Sequence, residues 1–106
     1  MTPEIAGRLT ACEIQLAAQA QDYCMFVRGN CMALVRTEGG RFTSIGSSGM
    51  LTEKGLAYLV WADGKAMLAS HGIQVEAGVD QVDAIRTFSE DLKKIIWPQM
   101  DADELG

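Results

Sequence analysis

Between Tyr23 and His71 the chain alternates as strands do, and it is apolar on both phases of the alternation. Leu56 to His71, LAYLVWADGKAMLASH, reads as two strands joined by Asp63-Gly64, a dipeptide suited to a type I′ turn because both central residues take positive φ. One face of this hairpin carries Ala57, Leu59, Trp61, Ala66, Leu68 and Ser70. The other carries Leu56, Tyr58, Val60, Ala62, Lys65, Met67, Ala69 and His71. YCMFVR-GN-CMALVR repeats the device around Gly29-Asn30. There Tyr23, Met25, Val27, Met32, Leu34 and Arg36 share one face, with Cys24, Phe26, Arg28, Cys31, Ala33 and Val35 on the other. After a turn at Thr37 to Gly40, a third strand is expected over Arg41 to Ile45. Gly46-Ser47-Ser48-Gly49 then reads as a flexible loop, and Ile73 to Glu76 as a short edge strand.

Helices are expected at the two ends. Thr2, Pro3 and Glu4 supply a capping hydroxyl, a proline at the first helical position and an acid at the positive end of the dipole. The spacing predicts a helix from Pro3 to about Gln21, with Ile5, Leu9, Cys12 and Leu16 turned inward. On its opposite side Gly7, Ala11, Ile14 and Ala18 form a stripe of mostly small residues, a candidate interface with another helix. The second helix is expected from Asp80, its cap, to Ile96 or Trp97, where Pro98 forbids continuation. Its buried stripe is Ile85, Phe88, Leu92, Ile95 and Ile96.

These elements predict an α+β fold with the order α-β-β-β-β-β-α. The antiparallel sheet is a meander of five strands, or six with the Ile73 segment, in one domain over residues 1–97. Residues 98–106, acidic, are expected to be a disordered tail. Five strands of about six residues give a sheet face of roughly 480 Å². Two helices about 10 Å wide cover one such face. A surplus apolar face follows unless the helices take opposite sides or the sheet curls closed on itself.

Composition narrows the function classes. At 106 residues, with a net charge of -5 and an isoelectric point near 4.7, the chain is a poor match for nucleic acid, whose binding rests on Lys and Arg. No apolar run approaches the ~20 residues of a membrane span, and the first residues carry no signal-peptide core, so a cytoplasmic protein without membrane attachment is expected.

Chemistry-bearing residues are few. One histidine and three cysteines at no ligand spacing give no metal site, no cofactor motif and no evident catalytic constellation. With Gly29-Asn30 as the turn, Cys31 faces Arg28 and Cys24 faces Val35, roughly 13 Å apart and beyond disulfide reach. Arg36 and Arg41 flank the Thr37–Gly40 turn and form a candidate anion site, with His71 at a strand end as a further rim residue. The Asp63-Gly64-Lys65 hairpin followed by a helix resembles part of the roadblock family of small homodimeric α/β proteins. That likeness spans about a third of the chain, and the family's helix between its second and third strands has no counterpart here. The expected function is a small non-catalytic interaction or regulatory module that self-associates, as a homodimer, or binds another protein through an apolar face. The alternatives are a binder of a small apolar or anionic ligand using Arg36, Arg41 or His71, and a thiol enzyme or redox protein built on Cys24 or Cys31.

Overall fold

The computed structural model describes residues 2–53 and 55–105, with side chains through residue 98. The elements in order are α1 (Pro3–Ala11), β1 (Gln15–Gln19), β2 (Tyr23–Arg28), β3 (Cys31–Glu38), β4 (Arg41–Thr52), β5 (Gly55–Ala62), β6 (Lys65–Ser70), β7 (Ile73–Glu76) and α2 (Val79–Leu105). All seven strands form one antiparallel meander, β1-β2-β3-β4-β5-β6-β7. The α+β meander with terminal helices is as expected, with more strands than the five or six read from the sequence. The helix of the roadblock pattern has no counterpart among the described residues.

Both helices lie on the same side of the sheet. One core joins Ile5 and Leu9 of α1, Ile85, Phe88, Leu92, Ile95 and Ile96 of α2, and a single strand face: Cys24, Phe26, Cys31, Ala33, Val35, Phe42, Ala57 and Leu68. Within the helix layer α2 packs over β3 and β4, and α1 packs against α2. Arg28 pins this arrangement. Its guanidinium donates to the Cys12 carbonyl at 3.1 Å and the Asp91 carboxylate at 2.8 Å, and lies 5.5 Å from the centre of the Phe88 ring. One cation thereby ties the end of α1, strand β2 and the middle of α2 together.

The hairpins follow their turn chemistry. Asp63 and Gly64 have φ of 52° and 77°, as a type I′ turn requires. His71-Gly72 repeats this at 51° and 79°, and histidine is among the few side chains enriched at positive φ. Register also agrees with the sequence: Cys31 faces Arg28 and Cys24 faces Val35, and all three cysteines are free.

Four expectations are corrected. First, α1 is capped by Thr2 with Pro3 behind it, as expected, but stops at Ala11 instead of Gln21. It ends in a Schellman motif: Ile14 N–H donates to the Leu9 carbonyl and Glu13 N–H to the Thr10 carbonyl, while Leu9 and Ile14 are both buried. The left-handed position is filled by Glu13, φ 61°, where glycine is usual. Second, Gly46 to Gly49 is not a loop but the middle of β4. Gly46 and Ser47 form a bulge opposite Leu34, and a Cβ on Gly49 would lie 2.1 Å from the Ala57 carbonyl oxygen of the next strand.

Third, α2 begins at Val79 with Gly78 before it. The Gln81 side chain reaches back to accept from the Gly78 N–H at 2.8 Å, so Asp80 sits in the first turn instead of capping it. Fourth, α2 continues through Pro98 to Leu105 rather than stopping at Trp97. A proline there leaves the Lys94 carbonyl without its helical donor. Arg8 of α1 donates to that same carbonyl at 3.3 Å.

Two substitutions check this account. A non-glycine residue in the left-handed region costs roughly 1–2 kcal/mol, partly offset by glycine's extra unfolded-state entropy. Glu13→Gly is therefore expected to raise unfolding stability by about 0.5–1 kcal/mol in urea titrations. Gly49→Ala, which sets a methyl against the β5 backbone, is expected to lower it by about 2 kcal/mol or more.

Candidate functional site

With both helices on one side, the opposite side of the sheet has no element over it. Alternation along the paired strands sets Val27, Met32, Gly49, Tyr58 and Ala69 in one row across β2 to β6. Met25 and Leu34 flank the row on one side, and Leu51 with Leu56, and Val60 with Met67, continue the surface. Most are half-buried by one another, while Tyr23 and Leu51 are exposed. Met32 is fully buried with no helix above it and lies outside the main core. Its neighbour Gly49 is buried, with the β5 backbone at Ala57 and Tyr58 filling the place of a side chain. Charged residues of this face gather toward one end of the strands: Arg36, Glu38 and Arg41 at the β3–β4 turn, Lys65 at the β5–β6 turn and Glu76 at the end of β7.

On the helix side a second apolar surface is left where the helix layer stops short of β5–β7. Trp61, Ile73 and Val75 are 64%, 60% and 55% exposed there. Toward the β4–β5 and β6–β7 turns this surface deepens into a groove of about 400 Å³, lined by Thr52, Glu53, Ala57, Leu68, Ser70, His71, Ile73 and Val75. The Ser70 hydroxyl oxygen is buried and has no hydrogen-bond partner. His71 is held at the mouth by its turn, and its Nε2 lies 3.9 Å from where a Cβ on Gly55 would stand.

The three proposed ligand residues are not gathered into one site. Arg36 faces Tyr23 and Ser44, and Arg41 faces Glu38, so both belong to the open face near the β3–β4 turn. His71 lies at the opposite end of the strands, separated from Arg36 by roughly 25 Å of β4. The small-residue stripe is dispersed too. Gly7 and Ala11 are exposed on α1, but Ile14 is 3% exposed in the core and Ala18 lies in β1. The early end of α1 removes the shared helix face on which that stripe depended. Ser70 was the residue the sequence reading passed over. Its signal was present: it is the one polar side chain on an otherwise apolar hairpin face.

Cys24 and Cys31 sit in the core, 3% and 5% exposed. Burial pushes both thiols above their ordinary range, and the nearby Arg28 only partly opposes this at Cys31. A buried thiol held protonated is a poor nucleophile. No group of three or more metal-ligating side chains occurs among the described residues, and no described helix is long and apolar enough to cross a membrane. Comparison of the chain with protein-family models, curated proteins and solved structures finds no significant match.

The cysteines carry a pH dependence of definite sign. Because folding raises their pKa, the unfolded chain releases these protons first, and stability is retained below about pH 8.5 and falls as pH rises beyond it. Urea unfolding at pH 7.5 and 9.5 is expected to show this loss, and replacing both cysteines by alanine to flatten it.

Proposed function

We propose that the chain is a small non-catalytic interaction module that self-associates through the open face of its sheet. The observation that carries this reading is the row from Val27 to Ala69 with its apolar flanks, on a face that no helix covers. Contiguous apolar surface of this kind marks an interaction site on most proteins that expose it. An apolar face repeated on a second copy is the simplest surface to cover it, because a two-fold contact sets like against like.

The net charge of -5 opposes non-specific association, while the face itself keeps its charged groups, of both signs, at one end and leaves the rest apolar. A two-fold pairing would set the same patch on both copies against itself, so each substitution acts twice. Light scattering after size exclusion, across micromolar dilution, is expected to give twice the chain mass at the upper end. Val60→Lys with Met67→Lys is expected to give a folded monomer, with circular dichroism unchanged. A wild-type monomer at every concentration would overturn the reading, as would a double variant that keeps the wild-type mass.

A further inference from the structure

We infer that the free edge of β7 pairs with the β7 of a second copy, antiparallel, with Val75 at the two-fold axis. This contact lies in the plane of the sheet, so it uses none of the open face and rests on separate observations. A meander leaves two edges, here β1 and β7. β1 is blunted: its pairing slips between Leu16 and Ala18, and a bulge twists an edge away from a new partner. β7 has an unbroken register on β6, no proline and no lysine, and is exposed along its whole length. Its backbone says what kind of partner fits. Ala77 N–H donates to the Ala66 carbonyl, and the antiparallel ladder alternates from there, so Val75 and Ile73 also bond to β6 while the N–H and C=O of Gln74 and Glu76 point outward. Donors and acceptors repeating at every second residue are matched by another extended backbone.

The side chains favour a second β7 as that backbone. With Val75 opposite the partner's Val75, Gln74 of each chain faces Glu76 of the other, and each such pair exchanges both of its backbone hydrogen bonds. This register engages every outward group of both strands, and it sets the Gln74 amide, a donor, beside a Glu76 carboxylate. Other registers do worse. Centring the pairing on Gln74 sets Glu76 against Gly72, which belongs to the β6–β7 turn, and centring it on Glu76 sets like charges directly opposite each other. A two-fold axis normal to the sheet also keeps the helix layers of both copies on one side. Ile73 and Val75, 60% and 55% exposed where those layers stop short, then lie along the seam beside their counterparts.

Amide NMR of the whole chain reads the edge residue by residue. As the chain is concentrated from about 20 µM to about 1 mM, the range of a weak contact between short strands, the Gln74 and Glu76 amides are expected to shift saturably and to exchange with solvent at least about threefold more slowly. Gln74→Pro removes one outward N–H and leaves the bonds to β6 in place, because an edge strand tolerates proline on its solvent side. It is expected to abolish both effects with circular dichroism unchanged. Val75→Lys sets two cations against each other at the axis and is expected to lower the association constant at least about tenfold. Val60→Lys with Met67→Lys, which disrupts the open face, is expected to leave the edge shifts in place, so the two contacts stand or fail separately. Pairing through β7 is overturned if the Gln74 and Glu76 amides ignore concentration, or if their shifts survive in Gln74→Pro or Val75→Lys. It is overturned as well if these amides respond to an added synthetic peptide of alternating valine and threonine but not to the chain itself, which would make a foreign strand the occupant.

Discussion

A pleated sheet offers two faces, and this chain places both of its helices on one. The apolar stripes of the helices drive that choice, and one side chain fixes how the two helices sit together. Arg28 emerges from β2 on the core side, where its guanidinium takes the carbonyl that closes α1, the Asp91 carboxylate of α2 and the face of Phe88. A helix on the far side would leave that cation without its partners, half-buried and unpaired, which is more costly than the ion pair is favourable. The contacts between Arg8 and Lys94 continue the same logic along the helix pair, because the carbonyl freed by Pro98 is answered from α1. Once the two helices are clasped together, they leave Trp61, Ile73 and Val75 of β5 and β7 uncovered on their own side and are absent from the other face altogether.

The two surfaces left uncovered differ in kind. The face away from the helices is broad and apolar, with its charged groups gathered at one end, the geometry of a contact between large bodies. The groove beside β5–β7 is small and walled on one side by an edge strand.

Much of this was legible in the chain, and the misses share a cause. Strand positions over β2, β3, β5, β6 and β7 follow directly from period-two alternation and from turn dipeptides with an obligatory φ, such as Asp63-Gly64. The surplus apolar face followed from simple area. Three errors arose where a residue performs a task that another type usually performs. Glu13 takes the left-handed position where glycine would have announced the end of α1. Gly46 and Gly49 look like a loop but serve a bulge and a close backbone approach within β4. Pro98 looks like a stop signal, yet the carbonyl it strands is met from another element. In each case the deciding partner is distant in sequence or is backbone, and neither is visible to a local pattern. The candidate interface on α1 failed for the first of these reasons: Ile14 and Ala18 lie beyond the helix to which the pattern assigned them.

The unbroken order of the meander has a kinetic meaning. Every strand finds its partner in the segment synthesised just before or after it, so the sheet is assembled from short, inexpensive loop closures that no distant event has to precede. The exceptions are the docking of α2 on β3 and β4, with Arg28 on Asp91, and the clasp that brings Arg8 to Lys94. A nascent chain on the ribosome can therefore form its hairpins early but cannot roof them until its last helix emerges. During that interval both faces of the sheet stand open to other chains.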